Sequence, residues 1–276
     1  MVEPHDGLPR EQRECFGVVL DLACALEHWR ERLCLIGGWA TYALTEVFFA
    51  GTTGGPLRHR GSTDVDLAVG LLRIDADEAE ALGSRLREAG YRGPESFHWR
   101  RVADSGSTYR VDMMTLPPPR HEGGVVRIGA YEFAPFWHGE AVFVSPRDVK
   151  LRGALPDGTP REALLRVASP GGMLVVKAWT LATPGRPPQA KHLYDIFALL
   201  RTYPGGPEEF AVELRDMRGT EDLQVTLDLL QIMFVDSDDG PRLVAEQRMG
   251  PPADWDLHVA EARLTVERFL RAMGRG

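Results

Sequence analysis

The spacing of apolar residues changes along the chain, and the change divides it. Phe16, Val19, Leu20, Ala23 and Leu26 recur at helical spacing, which predicts an amphipathic first helix. Leu33-Cys34-Leu35-Ile36 is a short unbroken apolar run that reads as a strand, and Gly37-Gly38 then turns into a helix over 39–49. Residues 51–61, rich in Gly, Thr and Arg, predict a loop. A strand follows at Val65–Val69, then an acidic helix over 75–89 that Gly90 closes. Strands then dominate, over 97–103, 109–114, 125–133, 140–144 and 163–168, separated by Pro- and Gly-rich turns. At Ser169-Pro170 the pattern changes: an N-capping residue precedes a proline suited to the first helical position, and helical periodicity runs to the end. The expected fold class is α/β of the α+β kind, with a mixed sheet in residues 1–168 and a helical domain in residues 169–276.

Composition narrows the class of protein. The 276 residues are 43% hydrophobic, enough for full cores. A formal net charge of −8 argues against nucleic-acid binding by bulk electrostatics, though local basic runs occur at Arg58-His59-Arg60, Arg100-Arg101 and Arg147–Arg152. Such runs are usually solvated faces. Cys15, Cys24 and Cys34 form no C-x-x-C pair and fit reduced thiols in a cytoplasmic setting. The first residues have neither the basic start nor the apolar core of a signal peptide, and charges interrupt every long apolar stretch, so no membrane partner is expected.

The candidate chemistry begins at Gly61-Ser62-Thr63-Asp64-Val65-Asp66-Leu67. Alternate side chains of a strand point to opposite faces, so Asp64 and Asp66 share one face while Val65, Leu67 and Val69 share the other. Paired carboxylates on a rigid element suit a hard divalent cation, Mg²⁺ with Mn²⁺ as the alternative, and substrate phosphates commonly complete its shell. The bare backbone of Gly37 and Gly38, at a strand-to-helix turn, lets N–H groups approach phosphate. The Ser62 and Thr63 hydroxyls adjoin the acids. In Tyr109-Arg-Val-Asp-Met113, Asp112 lies opposite the core face and is the candidate third carboxylate of the metal site. In the helical part, Lys177 adjoins the stripe Leu174, Ala178 and Leu181. It either snorkels outward or reaches a triphosphate as a point charge. Asp195 falls between core positions of Leu193, Ile196, Phe197 and Leu200, which implies a partner, either Lys177 or a substrate. Arg186 and Lys191 flank the intervening loop and either contact phosphate or are solvated.

Taken in order, Gly37-Gly38-Trp39, Gly61-Ser62-Thr63-Asp64-Val65-Asp66-Leu67, Val111-Asp112-Met113-Met114, Lys177-Ala178 and Lys191-x-x-Tyr194-Asp195-Ile196 resemble the AbiEii/AbiGii-type toxin nucleotidyltransferases of the polymerase-β-like superfamily. The resemblance implies a polymerase-β-like palm followed by a helical substrate- and nucleotide-binding domain. It implies Asp64, Asp66 and Asp112 as catalytic metal ligands and Gly38 and Ser62 as triphosphate contacts, with Gly37, Thr63 and Lys191 beside them. Lys177 would hold the nucleotide, and Asp195 would be the late acidic residue. The reaction implied is transfer of an NMP from an NTP to an acceptor hydroxyl, with pyrophosphate released. An RNA of the tRNA kind is the expected acceptor, and a cognate antitoxin the expected partner. An aminoglycoside-like drug is the alternative acceptor, and a catalytically silent nucleotide-sensing or partner-binding module the alternative class. One departure is visible: His192 stands where the family often has an acid.

Overall fold

A computed structural model describes residues 7–50, 59–70, 74–182, 188–248 and 254–275. Within these the chain forms two compact units, one of residues 1–48 with 58–169, the other of residues 49–57 with 170–276.

The first unit is a sheet with helices packed on it. Its first helix, α1 (Arg10–Ala25), buries an almost continuous row from Cys15 to Leu20. Gly17 on α1 is where the helix meets the sheet backbone, because an added Cβ would lie 2.7 Å from the Ala154 carbonyl oxygen. Strand β1 (Leu33–Ile36) is wholly buried, and α2 (Gly37–Tyr42) follows directly and runs into a π-helical turn, Ala43–Phe48. Next come β2 (Asp64–Val69) and α3 (Ala76–Glu88). A capping box starts α3: the Asp75 carboxylate accepts from the Glu78 N–H while the Glu78 carboxylate accepts from the Asp75 N–H. The remaining strands are β3 (Arg92–Glu95), β4 (His98–Val102), β5 (Thr108–Thr115), β6 (Val126–Ile128), β7 (Tyr131–Pro135), β8 (Arg147–Ala154) and β9 (Pro160–Val167). The sheet runs in the order β3-β4-β5-β2-β1-β9-β8, with β7 also paired to β5 and β6 to β7. It is mixed: β1 is antiparallel to β2, while β2 and β5 are parallel.

Mixed α/β architecture is as the sequence predicts, but two local expectations are corrected and two strands, β3 and β8, are added. The strand expected over 140–144 is a 3₁₀ turn, Gly139–Phe143, entered through His138 at φ 57°. Ala141 and Val142 are both buried although adjacent, which an alternating strand would not allow, and a short apolar run does not distinguish the two states. The strand expected over 125–133 is a hairpin, β6 and β7, that turns at Gly129 with φ 59°. Strand β8 was not predicted at all. Its Val149 and Leu151 point inward between charged residues, so only two apolar positions carry the period-two signal.

The second unit is helical: α4 (Pro170–Leu181), α5 (Ala190–Thr202), α6 (Gly206–Glu213), α7 (Glu221–Leu230), α8 (Asp239–Gln247) and α9 (Trp255–Ala272). Helix α4 is buried around nearly its whole circumference from Pro170 to Ala178, as expected of a central helix. Phe210 anchors α6 by edge-on contacts with Tyr203 and Phe269, at centroid distances of 5.0 and 5.8 Å. Among the described residues no helix is long and apolar enough to cross a membrane.

Candidate active site

Strands β2 and β5 lie side by side in parallel register, with Asp64 opposite Arg110 and Asp66 opposite Asp112. Since β2 buries Val65, Leu67 and Val69 on its other face, all three candidate acids stand on a single face of the sheet. Asp112 is 5% exposed, a burial that a carboxylate tolerates only with donors around it. Two are present: His98 Nδ1 lies 2.7 Å from Asp112 Oδ1, and Arg110 Nε lies 3.1 Å from the same oxygen. The register of β4 against β5 places His98 directly opposite Asp112. Arg110 also reaches across to Asp64, with its terminal nitrogen 3.2 Å from Oδ2. The Ser62 hydroxyl donates to Asp64 Oδ1.

The glycine turn closes against these acids. Gly37 has φ 71°, and a Cβ there would lie 2.0 Å from Asp66 Oδ2, so the backbone approaches the carboxylate more closely than any side chain permits. Gly38 packs against Ser62, whose Cβ would lie 3.0 Å from an added methyl. Gly61, at φ 70°, lies under the Trp39 ring. The approach to Ser62 is fixed by a hydrogen-bond relay: His59 donates its N–H to Glu46 of the π-helical turn at 2.8 Å, and His59 Nδ1 accepts the Gly61 N–H at 3.0 Å. A π-turn inside a helix is often retained for a local function, and here it presents Glu46.

The structure thus brings Gly37, Gly38, Ser62, Asp64, Asp66 and Asp112 together, with Thr63 beside them in sequence. Among the described residues, no three His, Cys, Asp or Glu side chains converge in ligand geometry, because Asp64 and Asp112 are turned to Arg110, Ser62 and His98 instead. The three carboxylates are hard oxygen donors of the kind a dication takes; they stand on adjacent strands, and a guanidinium lies between two of them. Glu46, His98 and Arg110 escaped the sequence reading, and His59 entered it only as part of a basic run. Arg110 was within reach of it, since it stands two residues from Asp112 on the same strand face. His98 was not, because only strand pairing brings it to Asp112.

In the second unit, Lys177 and Asp195 form an ion pair, with side chains 7% and 6% exposed. Of the two partners that the sequence left open for Asp195, the structure supplies Lys177. His192, one turn before Ile196, is held down to about 4 by burial first and by the Lys177 charge second. Lys191 is exposed. Arg58 and Arg186 lie outside the described residues. Much of the basic character in the other runs is already balanced: Arg101 binds Asp21 at 2.9 Å, and Lys150 and Arg152 both bind Glu162.

The three acids thus stand on adjacent strands of a mixed sheet, with a glycine turn packed against them. Residues 22–263 match the family described as nucleotidyl transferase AbiEii toxin, type IV toxin–antitoxin system, and the chain belongs to that family. No curated protein sequence matches it. Similar solved structures include a STING-associated CdnE c-di-GMP synthase from Capnocytophaga granulosa, at 7% identity over 95% of this chain and 81% of that one, with a TM-score of 0.28. Another is the CD-NTase CdnG of Bradyrhizobium diazoefficiens in complex with GTP, at 12% identity over 99% and 89%, with a TM-score of 0.27. The CdnC of E. coli MS115-1 with ATP shows 17% identity over 86% and 62%, with a TM-score of 0.26. At such scores the likeness says nothing of this chain's substrate or product.

Proposed function

We propose that this nucleotidyltransferase is metal-dependent and moves an NMP from an NTP to a hydroxyl of an RNA acceptor of the tRNA kind, as a toxin held in check by a cognate antitoxin in the cytoplasm. The observation that carries the chemistry is the β2–β5 register, which sets Asp66 beside Asp112 and Asp64 on the same face. Membership of a toxin family supports the antitoxin, while the RNA acceptor rests on the resemblance of the Lys177 and Lys191–Ile196 motifs described above.

Asp64, Asp66 and Asp112 would hold the divalent cation. Bound there, Mg²⁺ or Mn²⁺ supplies positive charge that polarises the phosphate under attack and stabilises the departing pyrophosphate. Ser62 orients Asp64 by donating to one of its oxygens, and His98 does the same for Asp112. The Gly37-Gly38 turn offers backbone N–H groups to the triphosphate in a space that a side chain would fill. Lys177 and Lys191 are assigned to the nucleotide, with Asp195 orienting Lys177. The acceptor hydroxyl then attacks in line with the leaving pyrophosphate.

The test is incubation of the purified chain with each α-³²P-NTP and total cellular RNA, and in parallel with a panel of aminoglycosides. Labelled RNA is expected, and Asp64→Ala or Asp66→Ala should lower labelling by about a thousandfold or more with the fold retained. Label appearing on a drug instead moves the acceptor to the small-molecule class. Transfer unaffected in both variants removes the carboxylates from the chemistry.

A further inference from the structure

Arg110 stands on the catalytic face and has no part in the transfer chemistry above. Its position there follows from the backbone. Arg110 and Asp112 are two apart on β5 and so share a face, and the parallel register puts Arg110 directly opposite Asp64. Its guanidinium spans the two acids, 3.2 Å from Asp64 Oδ2 and 3.1 Å from Asp112 Oδ1. The side chains of Asp64 and Asp112 are 25% and 7% exposed, whereas that of Arg110 is 51% exposed. The cation therefore bridges the acids from the solvent side, and its head can withdraw into water.

We propose that Arg110 is a tethered counter-ion that neutralises Asp64 and Asp112 in the metal-free enzyme and competes with the divalent cation for their oxygens, thereby setting the enzyme's metal affinity. The proposal rests on the assignment of these acids to a metal site. A guanidinium stays charged at every physiological pH, so protonation offers no relief when a dication arrives; the group has to move aside. It cannot leave the face altogether, because the strand holds its Cα opposite Asp64. A residual repulsion therefore persists in the metal-bound state. Asp112 keeps its orientation when Arg110 withdraws, because His98 donates to the same oxygen.

An exposed ion pair of no consequence would contribute little to stability and would leave metal binding untouched. The discriminating measurement is Mn²⁺ titration of the full chain after chelation, reading free Mn²⁺ by EPR, alongside thermal melts with and without Mn²⁺. Arg110→Gln should bind Mn²⁺ about tenfold more tightly than wild type, while Arg110→Lys, which keeps the charge, should stay within about twofold. By linkage, saturating Mn²⁺ should raise the melting temperature of Arg110→Gln by about 3 °C more than that of wild type. Arg110→Met, which keeps much of the aliphatic stem, gives the same comparison should Gln not be tolerated. Equal or weaker Mn²⁺ binding in the uncharged variants, with wild type binding normally, overturns the counter-ion role and leaves the metal site standing. Failure of wild type to bind Mn²⁺ at all overturns both.

Discussion

At the scale of single residues, the pair formed by Lys177 and Asp195 has a structural role, which mutation has to separate from the nucleotide contact proposed above. Both side chains are almost fully enclosed, and an unpaired charge left in such a place costs about 3–5 kcal/mol. Lys177→Met should therefore lower unfolding stability by that amount in urea titrations, before any question of nucleotide arises. Lys177→Met with Asp195→Leu removes both charges and should recover most of the loss. If Lys177 also grips the nucleotide, the double variant folds yet fails to retain NTP in equilibrium dialysis. Normal retention by a folded double variant removes Lys177 from the nucleotide site. The sequence made Asp195 conspicuous because a carboxylate interrupted a run of core positions. It did not show that Lys177, 18 residues earlier on another helix, was the answer.

At the scale of elements, the first turn of α5 carries a pH response. His192 titrates near 4, against 6.5 for an exposed imidazole, because burial and the Lys177 charge disfavour its protonated form. Between those values the unfolded chain binds the proton and the folded one does not, so stability is full above about pH 6.5 and declines as pH falls towards 4. Allowing for partial exposure, the loss attributable to His192 should be about 2 kcal/mol. Urea midpoints of wild type and His192→Gln should converge as pH falls from 7 to 4.5 relative to their separation at neutral pH; parallel curves would refute the assignment. Helices α1 and α5 were legible from the sequence by the helical spacing of their apolar residues, and β1 by its unbroken apolar run. Asp64, Asp66 and Asp112 were legible as polar interruptions with a defined side. Strand β8 was not, since charged residues separate its two buried apolar positions, and in the β6–β7 hairpin the strand character was legible while the turn at Gly129 was not. The His59 relay was also hidden, for it depends on a π-turn that no local pattern announces.

At the scale of the whole molecule, the thiols report on global opening. Burial pushes the Cys15 thiol up to about 12 and raises Cys34 as well, so neither is appreciably a thiolate at neutral pH. Cys15 lies against the Trp39 indole, its sulfur accepting the N–H at 3.3 Å, and Cys34 lies in β1. Both should resist an aromatic disulfide reagent at pH 8 and react in step with cooperative unfolding along a urea series, read by mass spectrometry of labelled peptides. Modification of either in the native protein would show that the sheet opens locally. The pairing of β2 with β5 also bears on how the chain reaches this state. Were β2 to slide by one position, Asp64 and Asp66 would be driven into the hydrophobic interior while Val65, Leu67 and Val69 faced water. Such a misaligned chain could not persist, so the acids proposed above to hold the metal should also proofread the assembly of the sheet, and replacing them with alanine should remove a safeguard against misfolding.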